Sequence, residues 1–230
     1  MSKNHDEQPG ASFTELVRLM NTLRSPGGCS WTVAQTHESI MHYLVEETYE
    51  VVEAVESQGG VNLPLLREEL GDVLLNVIFH ARMAAEIPSD QGGFDINDVV
   101  EGLSQKLIRR NPHVFGSAQD TASQLSAQEI YDAWDELKKS EKPERTGIFD
   151  GVPPHLPALA FTDKALSKAT AADVPVQLPD ADEADTESVW AATVFALVQE
   201  ARAQGIDPEK ALRNYTKEMM RLSEDRRDLE

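Results

Sequence analysis

Residues 64–86 constrain the fold more than any other stretch. Between Pro64 and Glu86 the chain carries Leu66, Leu70, Val73, Leu74, Leu75, Val77, Ile78 and Phe79, so most positions are apolar. A helix that is apolar nearly all round is normally buried. Yet Glu69 and Asp72 stand three residues apart within it, and Asn76 continues their row. Both acids are therefore expected at least partly inside. Buried ionised carboxylates are costly unless paired or bound to metal. Like charges at this spacing also repel. Something must offset that cost, and two solutions are open: Arg or Lys partners, or a divalent cation.

The preceding helical stretch, about Glu38 to Ser57, bears on the choice. It carries Glu46, Glu47, Glu50 and Glu53. At about 100° per residue these share one arc of about 120°. Leu44, Val45, Val51, Val52 and Val55 occupy the opposite side. Glu-Glu-x-x-Glu alone is common on surface helices. Coupled to Glu69-x-x-Asp72 on a neighbouring apolar helix, it offers carboxylate oxygens at i, i+3 spacing from two helices. Hard Mg²⁺ takes such ligands and completes its shell with water or phosphate; Mn²⁺ accepts the same oxygens. His37, His42 and His80 make no zinc pattern and are expected to be structural or exposed.

The rest of the chain also reads as helix. Phe13, Leu16, Val17, Met20 and Leu23 recur at helical spacing, after a polar tail over 1–12. Ser25-Pro26-Gly27-Gly28 ends that helix and a loop through Trp31 follows. Pro64 suits a first turn. Asp95 or Asn97 can cap a helix that runs to Arg110 and stops at Asn111-Pro112. Ser126 with Glu129 suggests a capping box for a helix over 127–140. Residues 141–157 contain Pro143, Pro153, Pro154 and Pro157 and read as a linker. Over 171–188 the charged residues are all acidic, a stretch expected to stay solvated. Helices are expected again over 187–204 and 208–228. Strand signals are weak throughout, so the expected class is all-α.

Composition narrows the partners. Lys and Arg number 21 against 40 Asp and Glu, a formal net charge of −19. That balance argues against a nucleic-acid polymer or an anionic membrane as partner. A small anionic substrate stays open, because one cation reverses the local sign of a site. Cys29 is the only cysteine, so no disulfide framework forms within one chain. No apolar run suggests a membrane helix, and the expected localisation is cytoplasmic. Lys106, Arg109 and Arg110 share one helix face, and Trp134 and Lys138 stand at i, i+4. They suit a phosphate clamp with an aromatic base contact. Equally, they suit ion pairing to the acidic stripes with Trp134 in a core.

Taken together, Gly28-Cys29-Ser30-Trp31, Glu46-Glu47-x-x-Glu50, Glu69-x-x-Asp72, Phe94-Asp95 and Lys106 through Arg109-Arg110-x-Pro112-His113-Val114-Phe115 resemble the MazG family of nucleoside triphosphate pyrophosphohydrolases. The likeness begins near Leu16 and covers most of the chain. It departs at Cys29-Ser30-Trp31-Thr32, where the family commonly has Cys-Pro-Trp-Asp. The resemblance implies an all-α helical bundle that usually dimerises, or forms a higher homo-oligomer. It implies Mg²⁺-dependent cleavage of nucleoside triphosphates between the α- and β-phosphates. The family's metal carboxylates fall on Glu47, Glu50, Glu69 and Asp72. Glu46, or a metal-bound hydroxide that it orients, would activate the attacking water. Lys106, Arg109, Arg110, Trp134 and Lys138 would hold phosphates and base.

Full-length relatives often hold two such modules, so an internal repeat is expected. Aligned on Ala81-Arg82 and Ala201-Arg202, the apolar pattern of Val73 to Ile78 recurs over Thr193 to Val198, whereas Glu69 falls on Val189 and Asp72 on Ala192. The expected organisation is a catalytic module over 13–140, the linker 141–157, and a degenerate second module over 158–230 without its own site. Three competing functions remain: a narrower dUTPase-like or dCTPase-like hydrolase, a nucleotide sensor without turnover, and an acidic helical scaffold.

Overall fold

Several helices in this chain start at side chains that cap free backbone groups. The computed structural model describes residues 9–57, 59–116, 126–141, 144, 146–179 and 185–227, with some side chains near its gaps left out. Among the described residues all regular structure is helical, as the periodicity implies. Contacts divide the chain into two compact units, 1–126 and 127–230.

The first unit holds α1 (Pro9–Arg24), α2 (Ser30–Ala34), α3 (His37–Val55), α4 (Leu63–Ala84), α5 (Ile96–Arg110) and α6 (Pro112–Phe115). α1 opens at Pro9, ahead of the expected Phe13, because proline suits a first turn. The five residues of α2 occupy what the sequence reads as loop. Gly28 makes the entry to α2 possible: a Cβ there would stand 2.4 Å from the carbonyl oxygens of Thr22 and Leu23. Thr36 caps α3 in a reciprocal box with Ser39, at 3.2 and 2.9 Å. Asn62 accepts from the Leu65 amide at 3.3 Å to start α4. Asp95 accepts from Asn97 and Asp98 at 2.7 and 3.2 Å to start α5. Each such cap stabilises its helix by about 1 kcal/mol.

α3 and α4 form an antiparallel pair, the most extensive helix contact of the unit. The core joins Met20, Ile40, Ile78, Phe79, Ala81, Met83 and Ile96, with Phe13, Leu16, Val17, Val77 and Val99 packed around it. Burial of α4 is one-sided, contrary to its sequence. Its C-terminal half is enclosed, but Leu70, Leu74 and Leu75 remain exposed in the single chain. At the far end of the pair, Arg24 donates to Glu86 at 2.8 and 3.0 Å and to the carbonyls of Thr32 and Gln35 at 2.6 and 3.1 Å. That guanidinium ties α1 and α2 to the end of α4.

The second unit holds α7 (Ala127–Glu141), α8 (Ala158–Ala171), α9 (Thr186–Ala203) and α10 (Pro208–Arg227). α8, α9 and α10 pack on one another. Leu166, Ala169 and Val198 are buried there. Arg202 of α9 donates to Asp163 of α8 at 3.0 Å. Among the described residues no helix is long and apolar enough to cross a membrane.

Candidate metal centre

The row of α3 that packs on α4 runs Ile40, Leu44, Glu47, Val51 and Ala54, all buried or half-buried. Glu47 therefore belongs to the packing row, not to the solvated acidic arc with Glu46, Glu50 and Glu53, which are exposed. Opposite, α4 presents Glu69, only 6% exposed, with half-buried Asp72 and buried Asn76. Asn76 donates to the Asp72 carbonyl at 3.0 Å, which fixes the buried amide on its own helix.

Two helices thus bring acids together that one helix would keep apart. Glu47, Glu50 and Glu69 each offer an oxygen, and these lie within 4.8 Å of one another. Asp72 raises the Glu47 carboxyl through its charge, as do Glu50 and Glu46, although burial contributes most. A hydrogen bond with Glu69 works the other way. Glu69 is pushed up to about 7, first by burial, then by its hydrogen bond to Glu50 and by the charges of Glu50, Glu47 and Glu68. Near neutral pH the Glu69 carboxyl is therefore partly protonated.

The charges around the cluster bear on the two solutions that the sequence leaves open. The charges that shift Glu47 and Glu69 are acidic ones. The ion pairs resolved on α1 and α4 end instead on Glu15 and Glu86. Protonation is how the cluster meets its electrostatic cost without a ligand. Oxygen-only donors at this spacing fit a hard divalent cation, which would replace that proton.

The remaining candidates are on other helices. Lys106 and Arg109 are exposed and Arg110 is half-buried, all near the end of α5. Trp134 is half-buried on α7; the Lys138 side chain lies outside the described residues. Beside the start of α3, Trp31 of α2 rests against Tyr43 and Phe79, with ring centroids 6.3 and 6.4 Å away. Tyr43 sits one turn before Glu47. That aromatic group and the Arg24–Glu86 tie were not visible in the sequence, because no spacing links 24 to 86 or 31 to 79.

The MazG nucleotide pyrophosphohydrolase domain matches residues 35–115, from just before α3 to the end of α6. The nucleoside triphosphate pyrophosphohydrolase/pyrophosphatase MazG of Thermotoga maritima is 35% identical over 231 residues, covering 93% of this chain and 85% of the relative. This chain belongs to the MazG family. Two relatives named nucleoside triphosphate pyrophosphohydrolase extend the comparison. That of Mycobacterium tuberculosis is 41% identical over 76% of this chain and 50% of its own length. That of Escherichia coli K12 is 39% identical over 65% of this chain and 54% of its own. The MazG domain match includes both helices of the acidic cluster, and the all-α architecture agrees with it.

Proposed function

We propose that this MazG protein hydrolyses nucleoside triphosphates between the α- and β-phosphates. Water adds to the α-phosphorus and the bond to the bridging oxygen breaks. The products are a nucleoside monophosphate and pyrophosphate. The observation that carries the reading is the carboxylate cluster of Glu47, Glu50 and Glu69, with acidic neighbours and family membership behind it. Glu47, Glu50, Glu69 and Asp72 would hold Mg²⁺, or Mn²⁺ in its place. When bound, such an ion lowers the pKa of water and neutralises phosphate charge.

The chain's own residues supply the rest. Glu46, exposed beside the cluster, takes the proton from the attacking water. Lys106, Arg109, Arg110 and Lys138 hold phosphate oxygens, and Trp134 contacts the base. Residues 13–140 act as the catalytic module, 141–157 link it onward, and 158–230 form a degenerate module without a site. The protein works as a homodimer or higher homo-oligomer in the cytoplasm and clears surplus or noncanonical nucleotides. Met41, Val45, Leu70, Leu74, Leu103 and Leu107 on α3, α4 and α5 are large apolar side chains left exposed in the single chain, and exposed apolar surface of this kind supports self-association.

The test is a panel of nucleoside triphosphates with and without Mg²⁺, with products separated. Metal-dependent monophosphate and pyrophosphate are expected. Glu69→Gln and Asp72→Asn should each lower turnover on the order of a hundredfold or more, since even outer-shell changes cost 10–100-fold. Binding without turnover would favour the sensor instead.

A further inference from the structure

One titratable pair lies in the α3–α4 contact away from the carboxylates. His37 is the first residue of α3, and His80 lies near the end of α4. Their Nδ1 atoms are 2.7 Å apart, and the rings meet edge to edge, with centroids 5.0 Å apart and planes within 14° of each other. The His80 Nε2 is enclosed and has no hydrogen-bond partner among the described residues. A contact between two Nδ1 atoms requires that one carry hydrogen and the other be bare. It can form between two neutral rings, or between one charged and one neutral ring. Two charged rings have hydrogen on every ring nitrogen, so the contact cannot form.

We propose that the His37–His80 contact is a proton-operated clasp, closed while one facing Nδ1 is bare and opened when both rings are charged, and that opening releases the first turns of α3 from α4. Burial, and then the charge of His37, hold His80 below the ordinary histidine range. Neither of these influences on His80 comes from an acid. On α3, Glu38 lies next to His37 and feels its charge. On α4, Arg82 is tied to Glu86 at 3.0 Å. From α1, Arg24 is tied to the same Glu86 at 2.8 Å, and Arg18 pairs with Glu15. α2 has no charged residue. On α5, Asp95 and Asp98 are engaged in capping their own helix.

The direction follows from linkage. The unfolded chain takes up the proton on His80 more readily than the folded one. The clasp's stabilisation is therefore complete above the ordinary histidine value of about 6.5 and is lost as pH falls below it. The release loosens the end of the helix pair opposite the connection between α3 and α4, and the carboxylates lie on the same pair.

Two measurements on the full chain test this. Ring NMR of the wild type should show His80 titrating on the acid side of the ordinary histidine value. Two independent curves near 6.5 would overturn the clasp. Hydrogen-exchange protection of the amides from Ile40 to Leu44 should fall about tenfold per unit of displaced pKa between about pH 7.5 and pH 5, while the helical amides of α5 hold. His80→Phe keeps an aromatic ring at this position but removes the nitrogen, and should abolish that fall. An equal fall in His80→Phe, or none in the wild type, would overturn the proposal. Should His80→Phe fail to fold, the wild-type ring titration decides alone.

Discussion

α4 and α9 share an apolar rhythm but spend it differently. Aligned on Ala81-Arg82 and Ala201-Arg202, each buries one β-branched residue three positions earlier: Ile78 and Val198 are both 1% exposed. The arginine that follows pairs with an acid in each case, Arg82 with Glu86 and Arg202 with Asp163. One helical turn and more before that anchor the two diverge. α4 buries Glu69 against Glu47 and Glu50, whereas the aligned positions of α9 are Val189, which is exposed, and Ala192. Apolar spacing is enough to seat a helix. The acids in α4 add nothing to that seating and oppose it, which is why the proposed function places a site there.

Four expectations break or sharpen the comparison. The largest effect is on turnover: Glu69→Gln should abolish most of it, as above, whereas Val189→Glu with Ala192→Asp should confer none on the second unit. Next is packing. Ile78→Ala should destabilise the first unit by about 2–5 kcal/mol, read from denaturant midpoints. Third is pH. Glu69 and Glu47 are raised in the folded chain, so they stabilise it at low pH. That contribution is complete below about 4.5 and is lost as pH rises through about 7 for Glu69. Metal-free protein should therefore lose stability across that window in thermal scans, and a divalent cation should remove the loss. Glu69→Gln should also remove it. The smallest effect is the stability cost of Val189→Glu with Ala192→Asp, within about 0.5 kcal/mol for each solvated position.

Much of this was legible in the sequence because helical period and capping are local. Asp95 caps α5, Pro64 lies in the first turn of α4, and Glu47, Glu50 and Glu69 come together from α3 and α4, a group that does not include Asp72. Glu47 was harder. Its neighbours Glu46 and Glu50 assign it to an acidic arc, yet its spacing from Ile40, Leu44, Val51 and Ala54 puts it in the packing row. α2 was missed because five residues cannot show a period. The His37–His80 contact was missed because pairing across 43 residues is tertiary; each histidine alone reads as structural. How Lys106, Arg109, Arg110, Trp134 and Lys138 meet a substrate depends on contacts that no spacing encodes.

Metal titration by calorimetry of the wild type and Glu69→Gln, each near pH 7 in two buffers of different ionisation heat, tests the central claim most directly. Binding of Mg²⁺ to the wild type should release protons, because the cation displaces the one held at Glu69. The variant should lose both the binding and the buffer dependence. Unchanged binding in Glu69→Gln, or binding without proton release, would contradict the assignment of the metal to the α3–α4 carboxylates.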